Sequence, residues 1–537
     1  MSSVTERIPK SGEWPVDPQE DVPLSDDRVW VDGCFDFTHH GHAGALLQAR
    51  QLGNELIVGL HSDEEILANK GPTVMNLEER QIAILANRWT TAVIPYAPYI
   101  TSLPWITHYG CQYVVHGDDI TSDASGQDCY RFVKAAERFR VVKRTPGIST
   151  TDLVGRMLLC TKTHFVRNVE GVLHGTAGDG SEEERKKSGE DLTARFKAYA
   201  TDASGLNPGC DVWIWKGPAD AALGVSPAKL KRRTSSKPDG GVSRMTSGSL
   251  NGAGSSSPAY SDVPLSTVSG ADAGDVQTPP QAIRRSSTSK DIPDERGTFT
   301  QFVEGKKPRP GQRIVYVDGG FDLFTPGHIE FLRLVAEQEE KHAAERGWYD
   351  VEARKKRLED VGEDYLPYFV IVGVHDDEVI NHWKGLNYPI MNIFERGLCV
   401  LQCKYTHLIL LSAPYTPSPS FLRSLPFVAS QTHHHPYPSA VYHGPTSFMP
   451  TSIDPYRAAR HLQLFREIPP HKFQALNAGT IVQRIFDSRA MFEERQRKKG
   501  VKGAAESELR REEREKEERE MRERQKKWEE VEREFGA

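Results

Sequence analysis

Two histidines in the first third of the chain have the spacing expected of residues that bind a phosphate group. His39 and His42 lie three positions apart in the segment VDGCFDFTHHGH at residues 31–42. On the first turn of a helix this spacing puts both imidazoles on one side, where they can donate hydrogen bonds to charge that develops as a P–O bond breaks. Gly33 and Gly41 would let the backbone approach the ligand closely. Core histidines or a zinc pair are the alternatives, but no third metal ligand recurs at a suitable spacing.

A second segment, RTPGISTTD at residues 144–152, also has the composition of a phosphate site. The planar guanidinium of Arg144 can hold two phosphate oxygens, and Gly147 permits close approach. Ser149 and Asp152 are typical N-cap residues, and the apolar helical pattern LVGRMLL follows them. An ordinary capped helix would explain the serine and the aspartate but not the Arg-Thr that precedes them. Two helix N-termini, one with histidines and one with arginine, together predict a polyphosphate ligand.

Three further polar residues lie between these segments. Lys70 is in a polar loop, and its recurrence as Lys384 favours a role at the ends of the strands. Asp118 and Asp119 follow a short apolar run at residues 113–115, where an acidic pair could hold Mg²⁺ or a cationic substrate head. A plain solvated loop is the alternative for this pair.

The elements that must position these residues alternate between strands and helices. Apolar runs predict four strands, and amphipathic stretches between them predict helices. Such alternation indicates β-α-β units with a parallel sheet, in which ligands bind beyond the carboxyl ends of the strands. The predicted strands are 28–31, 55–60, 92–96 and 113–116, and the predicted helices are 44–52 and 77–87.

The chain contains a second copy of this pattern. VDGGFDLFTPGH at 317–328 repeats residues 31–42, and IVGVHDD at 371–377 repeats IVGLHSD at 57–63. Matches at several separated places indicate a tandem duplication.

The second copy departs from the first at the residues that would bind phosphate. Thr325 replaces His39, although His328 is retained, and Lys472 stands opposite Arg144. The acidic pair is also replaced, by Pro and Thr. We therefore expect the second copy not to turn over substrate, although it could bind nucleotide weakly.

Composition divides the chain further. Residues 1–24 and most of the Ser/Gly/Pro-rich stretch 169–305 are predicted to be disordered, and the folded blocks are predicted at 25–168 and 306–492. Within the linker, the apolar segment DVWIWK at 211–216 could dock on a neighbouring domain. Residues 493–537 are predicted to form a charged helical tail.

Composition also excludes several classes of protein. The 537 residues include 68 Lys and Arg against 74 Asp and Glu, a net charge of −6 that argues against a nucleic-acid-binding protein. The 7 cysteines contain no C-x-x-C motif, which excludes a disulfide scaffold. No apolar run approaches the roughly 18 residues of a membrane span, and the polar N-terminus resembles neither a secretion signal nor a transit peptide. These features predict a cytoplasmic protein.

The HxGH and RTxGIST motifs resemble those of the cytidylyltransferase family, which joins a phosphorylated alcohol to CTP. Three features resemble more narrowly the members of this family that act on phosphoethanolamine. They are the double-block layout and the segments HGDDI and RTPGISTTDLVGRMLL. The resemblance implies an α/β protein of two tandem Rossmann-like nucleotidyltransferase domains with parallel sheets, a flexible linker and a charged C-terminal helix. It implies transfer of the cytidylyl group of CTP to phosphoethanolamine for phosphatidylethanolamine synthesis. The alternatives are another phosphorylated alcohol such as phosphocholine, or a non-catalytic nucleotide-sensing scaffold.

The resemblance also implies a cofactor, partners and roles for individual residues. Mg²⁺ would enter on the CTP phosphates without a metal ligand from the protein, and the two domains would pair as an intramolecular pseudo-dimer. Peripheral association with the endoplasmic-reticulum membrane is compatible with this resemblance.

An aromatic cage of Tyr99, Trp105 and Tyr113 would instead favour a choline head. The implied catalytic residues are His39, His42, Lys70 and Arg144; the nucleotide-binding residues are Gly33, Cys34, Phe35, Gly41, Arg80, Thr145, Gly147, Ile148, Ser149, Thr150 and Thr151; the substrate residues are Asp36, Asp118 and Asp119.

Overall fold

The computed structural model describes residues 20–119, 121–217, 297–428, 436–445, 454–498 and 500. The predictions for the first 19 residues, for 218–296 of the linker and for the tail beyond residue 500 fall outside these ranges. No helix in the described parts of the chain combines the length and the apolar composition needed to cross a membrane.

The first block is built on a five-stranded parallel sheet in the order β3-β2-β1-β4-β5. Strand β2 is buried along nearly all of its length and β1 over residues 29–32, which explains why these segments are apolar runs without strict alternation. The strands are β1 (Ser25–Gly33), β2 (Glu55–Leu60), β3 (Ala92–Pro95), β4 (Cys111–Gly117) and β5 (Phe139–Val142). The helices are α1 (His40–Arg50), α2 (Asp63–Lys70), α3 (Leu77–Leu85), α4 (Leu103–His108), α5 (Arg131–Ala135) and α6 (Thr150–Leu159). The predicted parallel α/β architecture is confirmed.

The second block contains a seven-stranded sheet in the order β12-β11-β8-β9-β10-β6-β7. All neighbouring strands pair in parallel except β7, which is antiparallel to β6. The strands are β6 (Asp211–Lys216), β7 (Thr298–Val303), β8 (Arg313–Gly319), β9 (Tyr368–Val374), β10 (Leu408–Leu411), β11 (Ala440–His443) and β12 (Phe465–Glu467).

Part of the predicted disordered linker is folded, and the prediction for 169–305 is wrong at both ends. The apolar segment 211–216 does dock on a neighbour: it forms β6 and pairs with β10 at Ile409↔Val212. Two helices precede it, α7 (Val169–Leu173) and α8 (Glu182–Tyr199). Composition concealed α8 because this 18-residue helix buries few residues besides Phe196 and Tyr199 and exposes a highly charged surface.

The remaining helices belong to the second block and repeat much of the first. The turn after β1 holds Phe35 and Phe37 at φ values of 54° and 65°, and the turn after β8 holds Phe321 and Leu323 at 49° and 59°. Left-handed backbone at these bulky residues is costly, so its recurrence indicates a shared origin and a shared constraint. The helices are α9 (Pro326–Glu345), α10 (Val351–Val361), α11 (Asp377–Lys384), α12 (Ile393–Leu401), α13 (Pro419–Ser424), α14 (Arg457–His461) and α15 (Ala478–Asp487).

Two reciprocal ion pairs join the blocks, which belong to one compact unit of the chain. Arg156 on α6 donates from Nη1 and Nη2 to the two oxygens of Glu395, at 2.7 and 2.8 Å. Arg484 on α15 contacts Glu79 in the same way, at 2.7 and 2.8 Å. Each glutamate also belongs to the capping box of its own helix, α12 or α3. In each block, the helix that carries the arginine thus holds the first turn of a helix in the other block.

Candidate active site

A cleft of about 750 Å³ opens at the carboxyl edge of the first sheet, where the sequence predicts a ligand site. The ends of β1 and β4, at Gly33 and Gly117, form its floor, and both predicted phosphate-binding segments reach it. Of the predicted site residues, four do not line the cleft: Arg80, Asp118, Gly147 and Thr151. Those that do are Gly33, Cys34, Phe35, Asp36, His39, Gly41, His42, Lys70, Asp119, Arg144, Thr145, Ile148, Ser149 and Thr150.

The two imidazoles predicted to act on phosphate are stacked against each other at the start of α1. The ring centroids of His39 and His42 are 3.9 Å apart and the rings are inclined by 18°. Nδ1 of His39 accepts a hydrogen bond from the Gly41 amide at 3.1 Å. In a neutral imidazole only one nitrogen carries the proton, so this bond assigns the proton to Nε2 and makes Nε2 a donor.

Gly41 is required at this turn for steric reasons. A Cβ at this position would lie 2.8 Å from Cγ2 of Ile148 and 2.9 Å from the ring of His39. Ile148 belongs to the second motif, so the glycine brings the histidine turn and the arginine segment into contact.

The second motif reaches the cleft through the capped start of α6. The hydroxyl of Ser149 accepts from the Asp152 amide at 3.1 Å and donates to Oδ2 of Asp152 at 2.7 Å. Arg144 lines the cleft, and its amide donates to Oδ1 of Asp118 at 3.4 Å. Asp118 therefore supports the backbone of the arginine segment. Gly147 has a φ of 82°, so its place in the motif is explained by conformation.

Arg80 lies behind the cleft and braces the turn that contains Cys34. Its guanidinium donates to the carbonyls of Cys34 and His61, both at 2.9 Å, and to Oδ1 of Asp63 at 2.7 Å. Arg396 makes the matching contacts in the second block. An arrangement that recurs in both blocks indicates support of the fold.

The carboxylate of Asp36 is also occupied by the protein. Its two oxygens accept from the amides of Val74 and Met75 at 2.8 and 3.0 Å. Burial raises the pKa of Asp36. Burial likewise raises the pKa of the Cys34 thiol to about 11, which makes it a poor nucleophile at neutral pH.

Of the acidic pair at positions 118 and 119, Asp119 is the residue that lines the cleft. Burial raises its pKa, but the electrostatic interactions with the His116 side chain and with the Arg144 guanidinium outweigh burial, so the pKa lies below its ordinary value. The carboxylate is therefore charged at neutral pH and suited to bind a cation.

The three aromatic residues that could have formed a cage do not line the cleft. The ring of Tyr113 is covered by the guanidinium of Arg140 at 3.9 Å. Trp105 is buried and packs on Tyr109, with ring centroids 5.9 Å apart. Lys70 lines the cleft, and its Nζ lies 5.6 Å from the ring centroid of Tyr99.

The corresponding cleft of the second block has a volume of only about 220 Å³. The hydroxyl of Thr325, which replaces His39, donates to the carbonyl of Leu476 at 2.7 Å. Burial lowers the pKa of His328 to about 3, so this imidazole is neutral. The position that holds an imidazole in the first block is closed here by a hydrogen bond to the backbone.

Sequence reasoning missed two contributions to the first cleft. Tyr199 at the end of α8 donates from its hydroxyl to the carbonyl of His40 at 2.5 Å and also bonds to the side chain of Thr145. The helical residues 489–498, which we call the C-terminal arm, line the cleft through Arg495 and Lys498, among others. The only local signal for the contribution of Tyr199 was its spacing of three residues from Phe196. The local sequence does not reveal which cleft the C-terminal arm reaches.

The sequence is similar to known proteins over most of its length. The family description Cytidylyltransferase-like matches residues 30–156. An ethanolamine-phosphate cytidylyltransferase of Dictyostelium discoideum is 34% identical over 478 residues, which cover 88% of this chain and 95% of that protein. One from Mus musculus is 34% identical over 480 residues, covering 89% of this chain and 90% of that protein. The chain belongs to the ethanolamine-phosphate cytidylyltransferase family.

Relatives with another printed substrate match a smaller part of the chain. Choline-phosphate cytidylyltransferase A of Rattus norvegicus is 38% identical over 145 residues, which cover 27% of this chain and 40% of that protein. The ethanolamine-phosphate cytidylyltransferases of Dictyostelium and mouse, by contrast, match long enough stretches to include both blocks. The similarity to these two relatives therefore extends over both blocks of the chain.

Proposed function

We propose that this enzyme transfers the cytidylyl group of CTP to phosphoethanolamine, giving CDP-ethanolamine and pyrophosphate. The observation that carries the proposal is the convergence of the stacked His39 and His42 with Arg144 in one cleft. Membership of the ethanolamine-phosphate cytidylyltransferase family supplies the two substrates.

The reaction is a displacement at the α-phosphorus of CTP. A phosphate oxygen of phosphoethanolamine forms the new bond, the bond between the α-phosphorus and the bridging oxygen breaks, and pyrophosphate leaves with the electron pair. The protein forms no covalent bond, so catalysis consists of positioning and charge stabilisation. Nε2 of His39 donates to the charge that develops on the phosphates, and His42 supports it from the same face.

The cations of the cleft have distinct places in this scheme. Lys70 bridges the two reacting phosphates, and Arg144 holds the departing pyrophosphate with Thr145 and Thr150. The amide groups at the start of α6 add donors to the same anion. Gly33 and Cys34 line the nucleotide through main-chain groups.

We propose that Mg²⁺ arrives as part of the CTP complex. Among the residues with assigned positions, no three His, Cys, Asp or Glu side chains are close enough to form a metal site. These residues do not fit a resident magnesium cage. When bound to the triphosphate, Mg²⁺ offsets part of its negative charge.

We assign the ammonium group of the substrate to Asp119. Its carboxylate is charged and lines the cleft, and a primary ammonium needs such an acceptor. A trimethylated head would need aromatic faces, and Tyr99, Trp105 and Tyr113 are not among the lining residues.

We further propose that the two blocks form an intramolecular pseudo-dimer in which only the first turns over substrate. The reciprocal pairs Arg156–Glu395 and Arg484–Glu79 support a pseudo-twofold arrangement. The smaller second cleft supports the inactivity of that block. A cytoplasmic location is consistent with seven cysteines that are all free thiols.

A substrate panel tests the proposed function. The purified chain is assayed for pyrophosphate release with CTP or ATP, each combined with phosphoethanolamine, phosphocholine or glycerol 3-phosphate. We expect turnover with CTP and phosphoethanolamine to exceed turnover with the other combinations by at least about tenfold. A wrong substrate leaves polar groups of the site without a hydrogen-bond partner, which destabilises its transition state. Preference for phosphocholine would overturn the assignment to Asp119. CTP binding without any turnover would support a nucleotide-sensing scaffold instead.

A further inference from the structure

We infer that the C-terminal arm, which follows the second block, completes the triphosphate site of the first block through Arg495 and Lys498. The inference rests on the proposed function, since it assigns these two cations to the phosphates of CTP. It also gives the segment that follows the degenerate block a direct part in substrate binding.

The arm presents one face to the first cleft. Met491, Glu494, Arg495 and Lys498 are spaced by three, four and seven positions from the first of them, which places them on one side of a helix. All four line the cleft. Phe492, on an adjacent side, is 2% exposed and belongs to the buried apolar cluster shared by both blocks.

The arm is also bonded to both sides of the cleft. Nε2 of Gln496 donates to the carbonyl of Thr151 on α6 at 2.8 Å. Nη1 of Arg495 donates to the carbonyl of Pro72 at 2.6 Å, and the alkyl stem of Arg495 packs 3.5 Å from the position of a Cβ on Gly71. These contacts fix the guanidinium beside the loop that follows Lys70.

The guanidinium of Arg495 retains donors for a ligand. Among the described residues, none accepts from its Nε or Nη2. Its charge is felt at the base of the histidine turn: burial raises the pKa of Asp36, and Arg495 is the strongest charge that opposes this rise. A planar guanidinium with two remaining donors suits a phosphate group.

The charge of the ligand is matched more fully by the two blocks together than by the first block alone. A nucleoside triphosphate brings roughly four negative charges, of which Mg²⁺ would offset part, and fixed cations offset the rest in a partly buried site. Lys70 and Arg144 are the lysine and arginine of the first block that line the cleft, where Asp119 and Glu494 add negative charge. Arg495 and Lys498 bring the number of lining cations to four.

Each block is contacted by a segment that follows the other block, but only the first cleft is lined by residues of such a segment. This asymmetry distinguishes ligand binding from packing. The segment after α6 also reaches the other block, where Nε2 of His164 lies 2.8 Å from the carbonyl of Pro389 and the Val166 amide donates to Asp377 at 2.8 Å. Yet no residue of the first block lines the described part of the second cleft. The segment after α6 and the C-terminal arm both hold the blocks together, but only the C-terminal arm adds charge to a cleft.

Steady-state kinetics of the full chain test this inference. Arg495→Ala is compared with Arg489→Ala, a control on the same arm whose side chain is paired with Glu493 and does not line the cleft. We expect Arg495→Ala to lower kcat/KM for CTP by about 10- to 100-fold, the usual effect of losing a charged hydrogen bond to phosphate. Arg495→Lys should recover part of this loss, and Lys498→Ala should show a smaller effect of the same kind.

The outcomes separate this inference from the proposed function. Calorimetry of CTP binding to the same variants measures affinity even if the wild-type chain turns over none of the tested substrates. A CTP affinity within about twofold of wild type for Arg495→Ala, with unchanged thermal unfolding, would overturn the inference. So would a rise confined to the KM for phosphoethanolamine, because that would place Arg495 at the other substrate. A specific loss of CTP affinity, absent in Arg489→Ala, supports it.

Discussion

The imidazole of His39 and the hydroxyl of Thr325 occupy equivalent positions in the two blocks. We expect His39→Ala to reduce kcat by about 10²- to 10³-fold, as removal of one donor to developing charge does elsewhere. Thr325→Ala is the matched control and should leave kcat nearly unchanged, because its hydroxyl bonds to the backbone of the second block. Turnover assays and thermal unfolding of both variants decide this. Equal losses of activity in the two folded variants would contradict a single working site.

Gly41 provides a steric test of the same turn. Gly41→Ala places a Cβ within 3 Å of both Ile148 and the His39 ring, so the imidazole must move. A displacement of this order is expected to cost about 10- to 100-fold in kcat/KM. Gly155→Ala on α6 is the control, since nothing lies within 4 Å of its added Cβ. Wild-type activity in folded Gly41→Ala would show that the histidine geometry is not critical.

Motif spacing predicted which residues gather at the cleft better than which way they face. His39, His42 and Arg144 were expected at a phosphate site, and they line one cleft. Arg80 and Asp36 were expected to bind ligand, but both bond to nearby backbone. A recurring charged residue has the same sequence signature whether it binds a ligand or braces a loop. The recurrence of Arg80 as Arg396 in a block with altered phosphate motifs was the available hint.

Helix α8 links the two phosphate-binding motifs through one hydroxyl. Tyr199→Phe removes the bond to the His40 carbonyl, and we expect it to cost about 1 kcal/mol of stability and several-fold in kcat. Burial raises the pKa of Tyr199 to about 12, so the loss should not vary with pH across the neutral range. Tyr349→Phe, at a half-exposed position, is the control. An unchanged kcat in Tyr199→Phe would confine α8 to a packing role.

Strands β1 to β4 were predictable because their buried segments form apolar runs, whereas β5 is largely exposed and was not predicted. Helices α1, α3 and α6 were predictable from their helical patterns. Helix α8 was not, because most of its surface is charged and its contribution depends on two aromatic residues. Strand β6 was marked only by its apolar composition. Its partner β10 lies nearly 200 residues away, and local sequence carries no information about such a pairing.

The two blocks are held together by buried charge, which predicts a pH dependence. Burial raises the pKa of Glu395, but the bonds from Arg156 outweigh burial and leave the pKa below its ordinary value. A carboxyl with a lower pKa in the folded state contributes stability at neutral pH that is lost as pH falls through the folded-state pKa. We expect the chain to lose stability below about pH 4.5, the ordinary value for a glutamate.

Removing one partner tests this contact directly. Arg156→Ala leaves the nearly buried Glu395 unpaired, and we expect a loss of about 3 kcal/mol in the free energy of unfolding. Exchanging both partners for apolar residues of similar volume should restore much of that loss. Denaturant unfolding at neutral and acid pH provides the measurement. An Arg156→Ala chain as stable as wild type at neutral pH would show that the ion pair does not hold the blocks.

The relation between the blocks was only partly accessible from sequence. The duplication was evident from repeated motifs, and the changes at Thr325 and Lys472 predicted an altered second site. The crossing of the C-terminal arm to the first cleft was not predictable, because it depends on how two separate folded blocks pack. Lys472 illustrates this: it aligns with Arg144, but its ammonium contacts Glu78 of the first block.

A crystal structure of the full chain with CTP is the most direct test of the central claim. We predict one triphosphate in the first cleft, between the stacked rings of His39 and His42 and the guanidinium of Arg144. Nucleotide bound in the second cleft alone, or a first cleft without nucleotide at saturating CTP, would contradict the account.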